Sequence, residues 1–162
     1  MDNILIILIL LAILYLIYLF HTNIVKDKKI PFDLYKGMPI ITLQIAQNKF
    51  NFLIDSGATS SFIDKSVLEK LPNLNVRNTN DKIMLVNKQT TNNLQYIKRL
   101  RAKKEFYRGS KKKYFTISLN NVYVTSLDSI NNNVSGILGG DFLKYYNFQI
   151  DYKNKFLYNR FI

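Results

Sequence analysis

The sequence contains no cysteine and no tryptophan, and its single histidine is His21. Without cysteine, disulfide frameworks, thiol nucleophiles and zinc–thiolate sites are excluded. Because His21 adjoins a hydrophobic run far from any motif, neither a Ser-His-Asp triad nor a His-rich metal site is expected. Catalysis by this chain would therefore depend on carboxylates, lysines or hydroxyls, and we predict neither a metal nor a cofactor.

Acidic residues are also scarce, with 11 Asp and Glu against 23 Lys and Arg, which gives a formal net charge of +12. The segment Lys98–Lys113 alone holds nine basic residues and one acid, Glu105, and so carries +8 of this charge. Such a run is most often a solvated insertion between strands. A contact with anionic lipid is the second interpretation, and nucleic acid or an acidic substrate is the less favoured third.

An unbroken apolar run extends from Ile4 to Phe20. As a helix it would be roughly 25 Å long, and continuation through Val25 would bring it to bilayer thickness. A cleaved signal peptide is disfavoured because the run is long, lacks a positive flank before it and has no small-residue cleavage site after it. We predict a single-pass membrane anchor at residues 1–25, and the lysines that follow favour a cytoplasmic domain.

Residues 26–37 are predicted to be a linker and residues 38–162 a single domain with a β pattern. Apolar residues alternate with polar ones over 41–45 and 50–54, which predicts a hairpin turning at residues 47–49. Strand patterns also occur at 83–86 with 94–97, at 114–119 with 122–125 across an Asn120-Asn121 turn, and at 149–152 with 156–158. Segment 73–81 is predicted to be a polar loop.

Two short helices interrupt this β pattern. Asp64 is the expected N-cap of a helix that carries Val67, Leu68 and Leu71, and Pro72 follows that helix. Asp141 is the expected N-cap of a second helix over residues 142–146. Strands with one or two short helices predict an all-β domain, a small closed barrel.

The strongest motif is Phe52-Leu53-Ile54-Asp55-Ser56-Gly57-Ala58, in which a buried strand ends in a carboxylate and a tight turn. On its own, such a tripeptide of Asp, Ser and Gly is usually only a turn. A second motif lies downstream, Gly136-Ile137-Leu138-Gly139-Gly140, and is followed by a helix pattern. With both motifs in this order, residues 38–158 resemble the retropepsin-like aspartic proteases, the single-domain relatives of pepsin.

The resemblance implies an acid-protease barrel and assigns roles by position. Asp55 matches the catalytic acid and base, while Ser56, Gly57, Ala58 and Thr59 match the loop that supports it. The apolar pair Ile137 and Leu138, followed by Gly139, matches the late motif. Because the chain has one Asp-Ser-Gly motif and is too short for two lobes, the resemblance implies a homodimer that pairs two copies of Asp55.

Two features depart from the family pattern. Viral members carry an acid after the alanine and an arginine after the late glycine, but this chain has Thr59 and Gly140 there. In addition, the hairpin expected to close over substrate has no glycine in its tip, residues 88–93.

The resulting hypothesis is a membrane-anchored aspartic endopeptidase that hydrolyses polypeptides through a water held between paired Asp55 carboxylates. Two alternatives remain at this stage. One is a non-catalytic retropepsin-like module for binding or dimerisation. The other is a membrane protein that binds anionic lipid or nucleic acid through Lys98–Lys113.

Overall fold

The computed structural model describes residues 7–16, 29–81, 83–84, 90–91, 94–108, 111–127 and 133–159. Its helices are α1 (7–16), α2 (Lys65–Lys70) and α3 (Gly140–Tyr145). Its strands are β1 (Lys29–Pro31), β2 (Asp33–Tyr35), β3 (Met38–Ile45), β4 (Asn48–Ile54), β5 (Phe62–Asp64), β6 (Val76–Thr79), β7 (Ile83–Met84), β8 (Thr90–Thr91), β9 (Leu94–Arg108), β10 (Lys111–Thr125), β11 (Gly136–Leu138), β12 (Phe148–Asp151) and β13 (Phe156–Asn159).

The central sheet closes on itself as a small barrel. Its strands follow the order β2-β3-β4-β11-β5-β10-β9-β6, and β9 also pairs with β3 at Lys103 and Gln44. The barrel therefore runs through β3, β4, β11, β5, β10 and β9. Its interior is filled by large apolar side chains that are almost completely buried, among them Phe52, Leu43 and Leu138. The prediction of an all-β closed barrel with short helices is confirmed.

The hairpin that leads to Asp55 is also confirmed, with β3 and β4 paired from Ile40–Leu53 to Ile45–Asn48. Its turn lies earlier than predicted, at residues 46–47. Ala46 takes the positive φ of 52° that this tight turn requires. The predicted turn at residues 47–49 is therefore one residue too late, because Asn48 is already a paired strand residue.

A separate three-stranded sheet has the order β1-β13-β12. The hairpin of β12 and β13 was predicted, but the strand beside it was not. β1 pairs with β13, and β2 pairs with β3, so residues 29–31 and 33–35 are strands within the segment predicted to be a linker. Ile30 and Phe32 are buried in the main core, which explains why this segment is ordered against the barrel.

The predicted membrane-spanning helix is not confirmed. α1 covers ten residues, 7–16, which correspond to about 15 Å of helix against a hydrocarbon core of about 30 Å. No helix within the described residues is long and apolar enough to cross a bilayer. The rest of the predicted anchor, 1–6 and 17–25, lies outside those residues. All ten side chains of α1 are exposed.

The basic segment forms part of a long β-hairpin. β9 and β10 pair antiparallel from Lys111–Arg108 to Val124–Gln95, so residues 98–108 and 111–113 belong to strands. The interpretation of this segment as an insertion between strands is therefore wrong. The predicted Asn120-Asn121 turn is also wrong: β10 continues through both residues, and Asn121 takes a φ of 51° within the strand.

Two further strand predictions need correction. Leu94–Ile97 pairs with β6 and β10 and not with residues 83–86. β6 itself lies in the segment that was predicted to be a polar loop. Ile83–Met84 pairs instead with Thr90–Thr91, and residues 85–89 and 92–93 of the predicted flap hairpin lie outside the described residues.

α2 begins as the sequence predicts, with Asp64 as its N-cap. One Asp64 carboxylate oxygen accepts from the Ser66 N–H at 2.9 Å and the other from the Leu127 N–H at 2.8 Å. Burial would by itself raise the pKa of this carboxyl, but the hydrogen bonds from Ser66 and Leu127 outweigh it and hold the pKa below its ordinary value of 3.8. This contribution to stability is present above pH 3.8 and is lost as the pH falls through the lowered pKa.

Candidate active site

The two sequence motifs lie side by side in the barrel. β4 and β11 run parallel, with Ile54 opposite Leu138. The Asp55 N–H then donates to the Leu138 carbonyl oxygen at 3.0 Å, which extends the pairing by one step. The end of β4 is thus fixed against β11, and Asp55 lies where the chain leaves the sheet.

The Asp55 carboxylate is oriented by its own turn. Its Oδ1 accepts from the Gly57 N–H at 2.8 Å, and its carbonyl oxygen accepts from the Ala58 N–H at 3.3 Å. Asp55 is half-buried, whereas Ser56 and Gly57 are exposed. The turn therefore holds the Asp55 carboxylate at the surface of the barrel, next to the exposed residues Ser56 and Gly57.

The late glycines form the support beneath this loop. The Gly140 N–H donates to the Ala58 carbonyl oxygen at 2.6 Å, and the Asp141 N–H donates to the Thr59 carbonyl oxygen at 3.3 Å. A Cβ on Gly139 would lie 2.4 Å from the Ser60 carbonyl oxygen, so only glycine fits at that position. Thr59 and Gly140, which stand at the positions of the viral acid and arginine, thus belong to two segments that are joined by backbone hydrogen bonds.

Ser61 and Asp141 link the loop to α3. The carboxylate of Asp141 accepts from the Ser61 N–H at 2.9 Å and from the Ser61 hydroxyl at 2.7 Å. The Ser61 Oγ also accepts from the Gly139 N–H at 3.1 Å. Asp141 lies in the first turn of α3, whose N-cap is Gly139, so the predicted capping role of Asp141 is wrong.

The sequence does not predict this link between Ser61 and Asp141. Its only local signal is a hydroxyl residue, Ser61, directly before an apolar strand, and that pattern is common. The partner lies 80 residues away, and only the pairing of β11 with β5 brings the two together. Such a contact cannot be inferred from spacing along the chain.

We expect Ser61→Ala to destabilise the domain by about 1–3 kcal/mol, because it leaves the buried Gly139 N–H without its acceptor. Ser61 is 1% exposed, so water cannot replace the hydroxyl without rearrangement. Urea unfolding measures the change, and Ser60→Ala, one residue away and half-buried, is the matched control. Equal unfolding midpoints for the two variants would contradict a structural role for the link.

A second, smaller apolar cluster lies beside the loop. Its buried members are Ile40, Leu53, Phe62, Leu127, Val134 and Ile137, and Met38, Ala58 and Tyr123 pack against it. The Tyr123 hydroxyl donates to the Asp81 carboxylate at 3.1 Å. Burial, with a further contribution from Asp81, raises the pKa of Tyr123. The loop residue Ala58 therefore packs against apolar side chains of β4, β5 and β11.

The predicted site residues are thus brought together: Asp55 to Thr59 form one loop, and Ile137 to Gly139 lie directly against it. The Ser56 hydroxyl forms no hydrogen bond within the described part of the chain. Across the same residues, no three His, Cys, Asp or Glu side chains cluster as metal ligands would.

The sequence profile of aspartyl proteases matches residues 41–142, which include both motifs. The chain belongs to the aspartyl protease family. The matched segment begins within β3 and ends within α3, and so includes the other five strands of the closed barrel and most of β3. The predicted membership of the retropepsin-like family is confirmed. No curated protein sequence matches the chain significantly.

Comparison with solved structures bears on the fold. The chain is similar to a retropepsin-like aspartic protease from Rickettsia conorii, with a TM-score of 0.52, 17% identity, and coverage of 83% of this chain and 92% of that one. It is also similar to the retroviral protease-like domain of Ddi1 from Leishmania major, with a TM-score of 0.45, 19% identity, and coverage of 74% and 90%. At this identity, the first likeness establishes the fold.

Proposed function

We propose that this chain is an aspartic endopeptidase whose active site forms between two copies, each contributing Asp55. The observation that carries the proposal is the Asp55 carboxylate, oriented by the Gly57 N–H and supported from below by Gly139 and Gly140. Its substrates would be polypeptides, as membership of the aspartyl protease family suggests.

The chemistry requires a second carboxylate. Two carboxyl groups that face each other share one proton, because two like charges a few ångströms apart cannot both ionise. The ionised group accepts a proton from a water held between them, and that water attacks the peptide carbonyl carbon. The protonated group donates a hydrogen bond to the carbonyl oxygen, where negative charge develops. One chain has a single Asp-Ser-Gly loop, so the second carboxylate would come from a second copy.

The exposed face of the loop supports this arrangement. Ser56 and Gly57 are exposed, and the Ser56 hydroxyl is free within the described residues to bond across a two-fold axis. Viral members pair their chain termini with those of the partner in an interface sheet, whereas here β1 pairs with β13 of its own chain. The partner contact would therefore rest largely on the active-site loops, and the dimer is expected to be weak.

The membrane anchor at residues 1–25 and the cytoplasmic orientation remain predictions from the sequence. In this proposal, the anchor would concentrate the chains on the membrane surface. A weak dimer would then form more readily on a membrane than in dilute solution.

The experiment measures cleavage of a peptide library by the full chain, in a non-ionic detergent, between pH 4 and 7. We expect the cleavage rate to rise with the square of chain concentration while monomers dominate, and linearly once dimers dominate. The mass of the protein is measured across the same concentrations. A rate that stays linear where the chain is monomeric would contradict the shared site, and no cleavage by a folded dimer would contradict the proposed activity.

A further inference from the structure

The hairpin of β9 and β10 separates its side chains onto two faces. Leu100, Ala102, Ile117 and Leu119 point inward and are at most 3% exposed. Since neighbouring residues of a strand point to opposite faces, Arg99, Arg101 and Lys103 all point outward, and all three are exposed. We call these three residues the basic strip. Their side chains follow one another at about 7 Å along β9.

The surroundings of the basic strip leave its charge uncompensated. Across the hairpin, Arg99 faces Asn120, Arg101 faces Ser118 and Lys103 faces Thr116, so every direct neighbour is neutral. No member of the strip forms an ion pair with another described residue.

Glu105, at the end of the strip, is already paired, because its carboxylate lies 2.7 Å from the Lys112 ammonium. This pairing raises the pKa of Lys112. The three cations of the basic strip thus lie in a row on a strand that is paired with β10.

Two observations favour lipid over nucleic acid as the partner. Single-stranded nucleic acid is usually bound with exposed aromatic rings as stacking platforms. Among the side chains of this face that the structure describes, the exposed aromatic ring is that of Tyr114, and the Lys112 ammonium already lies 5.5 Å from its centroid. In addition, α1 presents an apolar surface on every side, with all ten side chains exposed, which a single protein groove could not cover.

We propose that the basic strip binds an anionic lipid surface and thereby holds the domain against it. The proposal is independent of proteolysis, since no member of the strip belongs to the Asp55 loop or its supports. Each basic residue near such a surface increases affinity about fivefold, so the three together account for about 100-fold at low salt.

The first test compares two triple variants of the full chain that lose the same charge. One is Arg99→Gln/Arg101→Gln/Lys103→Gln in the strip, and the other is Lys65→Gln/Lys70→Gln/Lys144→Gln on α2 and α3. The measured quantity is the ratio of partitioning into phosphatidylserine-containing vesicles to partitioning into neutral ones. We expect the strip variant to lower this ratio by about 100-fold and the control by less than about fivefold. Equal losses would overturn the proposal.

The second test locates the contact even where the chain inserts into both kinds of vesicle. Because the sequence has no cysteine, Thr116→Cys places one fluorophore opposite Lys103, and Asn73→Cys places one on the exposed turn after α2, outside the hairpin. We expect energy transfer to a lipid-borne acceptor to increase with phosphatidylserine at position 116 but not at position 73, and to decrease in high salt.

Two outcomes would overturn the proposal. One is transfer at position 116 that does not depend on the anionic lipid. The other is a strip variant that loses affinity for an oligothymidine while keeping its preference for anionic vesicles, since the strip would then serve nucleic acid.

Discussion

Asp55→Asn is expected to reduce kcat/KM by at least about 10³-fold, because it removes the acid and base from both halves of the shared site. The fold should survive, since the new amide oxygen can accept the Gly57 N–H that Oδ1 accepts now at 2.8 Å. The free energy of unfolding should change by less than about 1 kcal/mol. Peptide cleavage and urea unfolding on the same preparation measure the two quantities.

The matched control for Asp55→Asn is Glu69→Gln, which removes one carboxylate from the exposed side of α2. It should leave cleavage unchanged within about twofold, as expected of a surface substitution. Retained activity in Asp55→Asn would refute the assignment of Asp55. Lost activity in both variants would point to a charge effect on the assay.

A mixing experiment tests whether the two carboxylates come from different chains. At a fixed total concentration of exchanging chains, an equal mixture of wild type and Asp55→Asn would leave about a quarter of the dimers with two aspartates. The rate should therefore fall to about a quarter of the wild-type value. A fall to one half would mean that each chain works alone.

Gly139→Ala is expected to produce the second large effect, a loss of about 3 kcal/mol or more in the free energy of unfolding. The added Cβ would lie 2.4 Å from the Ser60 carbonyl oxygen and 2.9 Å from that of Ala58, and both are backbone atoms. Relief of this overlap requires the Asp55 loop and β11 to separate. That movement would break the bonds from Gly139 to Ser61 and from Gly140 to Ala58, so cleavage should be lost as well.

Gly140→Ala serves as the control for this prediction. Its Cβ would have one close neighbour, the Ala58 carbonyl oxygen at 3.3 Å, which a shift of a few tenths of an ångström can relieve. Alanine is also a better helix former than glycine within α3. We expect a stability change within about 1 kcal/mol and measurable cleavage. If both variants unfold at the same urea concentration, steric overlap at Gly139 is not the reason for its glycine.

Much of the candidate site could be predicted from the sequence, because its parts are local. The alternation that places Phe50, Phe52 and Ile54 inward predicts the strand that ends at Asp55, and the Asp-Ser-Gly turn follows directly. Asp64 as a helix cap was also predictable, since capping depends on residues within one turn. The family resemblance supplied the link between this loop and residues 137–139.

The sequence could not supply the contacts that span the chain. Asp141 has the local pattern of a helix cap, but its carboxylate binds Ser61, because β11 and β5 pair and bring residues 80 positions apart into contact. Asn120-Asn121 has the local pattern of a turn, but β10 continues through it, because pairing with β9 on both sides outweighs the local preference.

Two larger features depended on the tertiary structure for the same reason. The charge density of residues 98–113 predicts an insertion, yet each strand needs only one apolar face, and Leu100, Ala102, Ile117 and Leu119 provide it. β1 of the three-stranded sheet lies in the predicted linker, because a strand of three residues is too short to show an alternating pattern.

The sequence by itself determined the chemistry of the site, since that depends on residue type and a local turn. Strand pairing decided which distant residues support it, since the free energy of those contacts depends on neighbours that chain order does not specify.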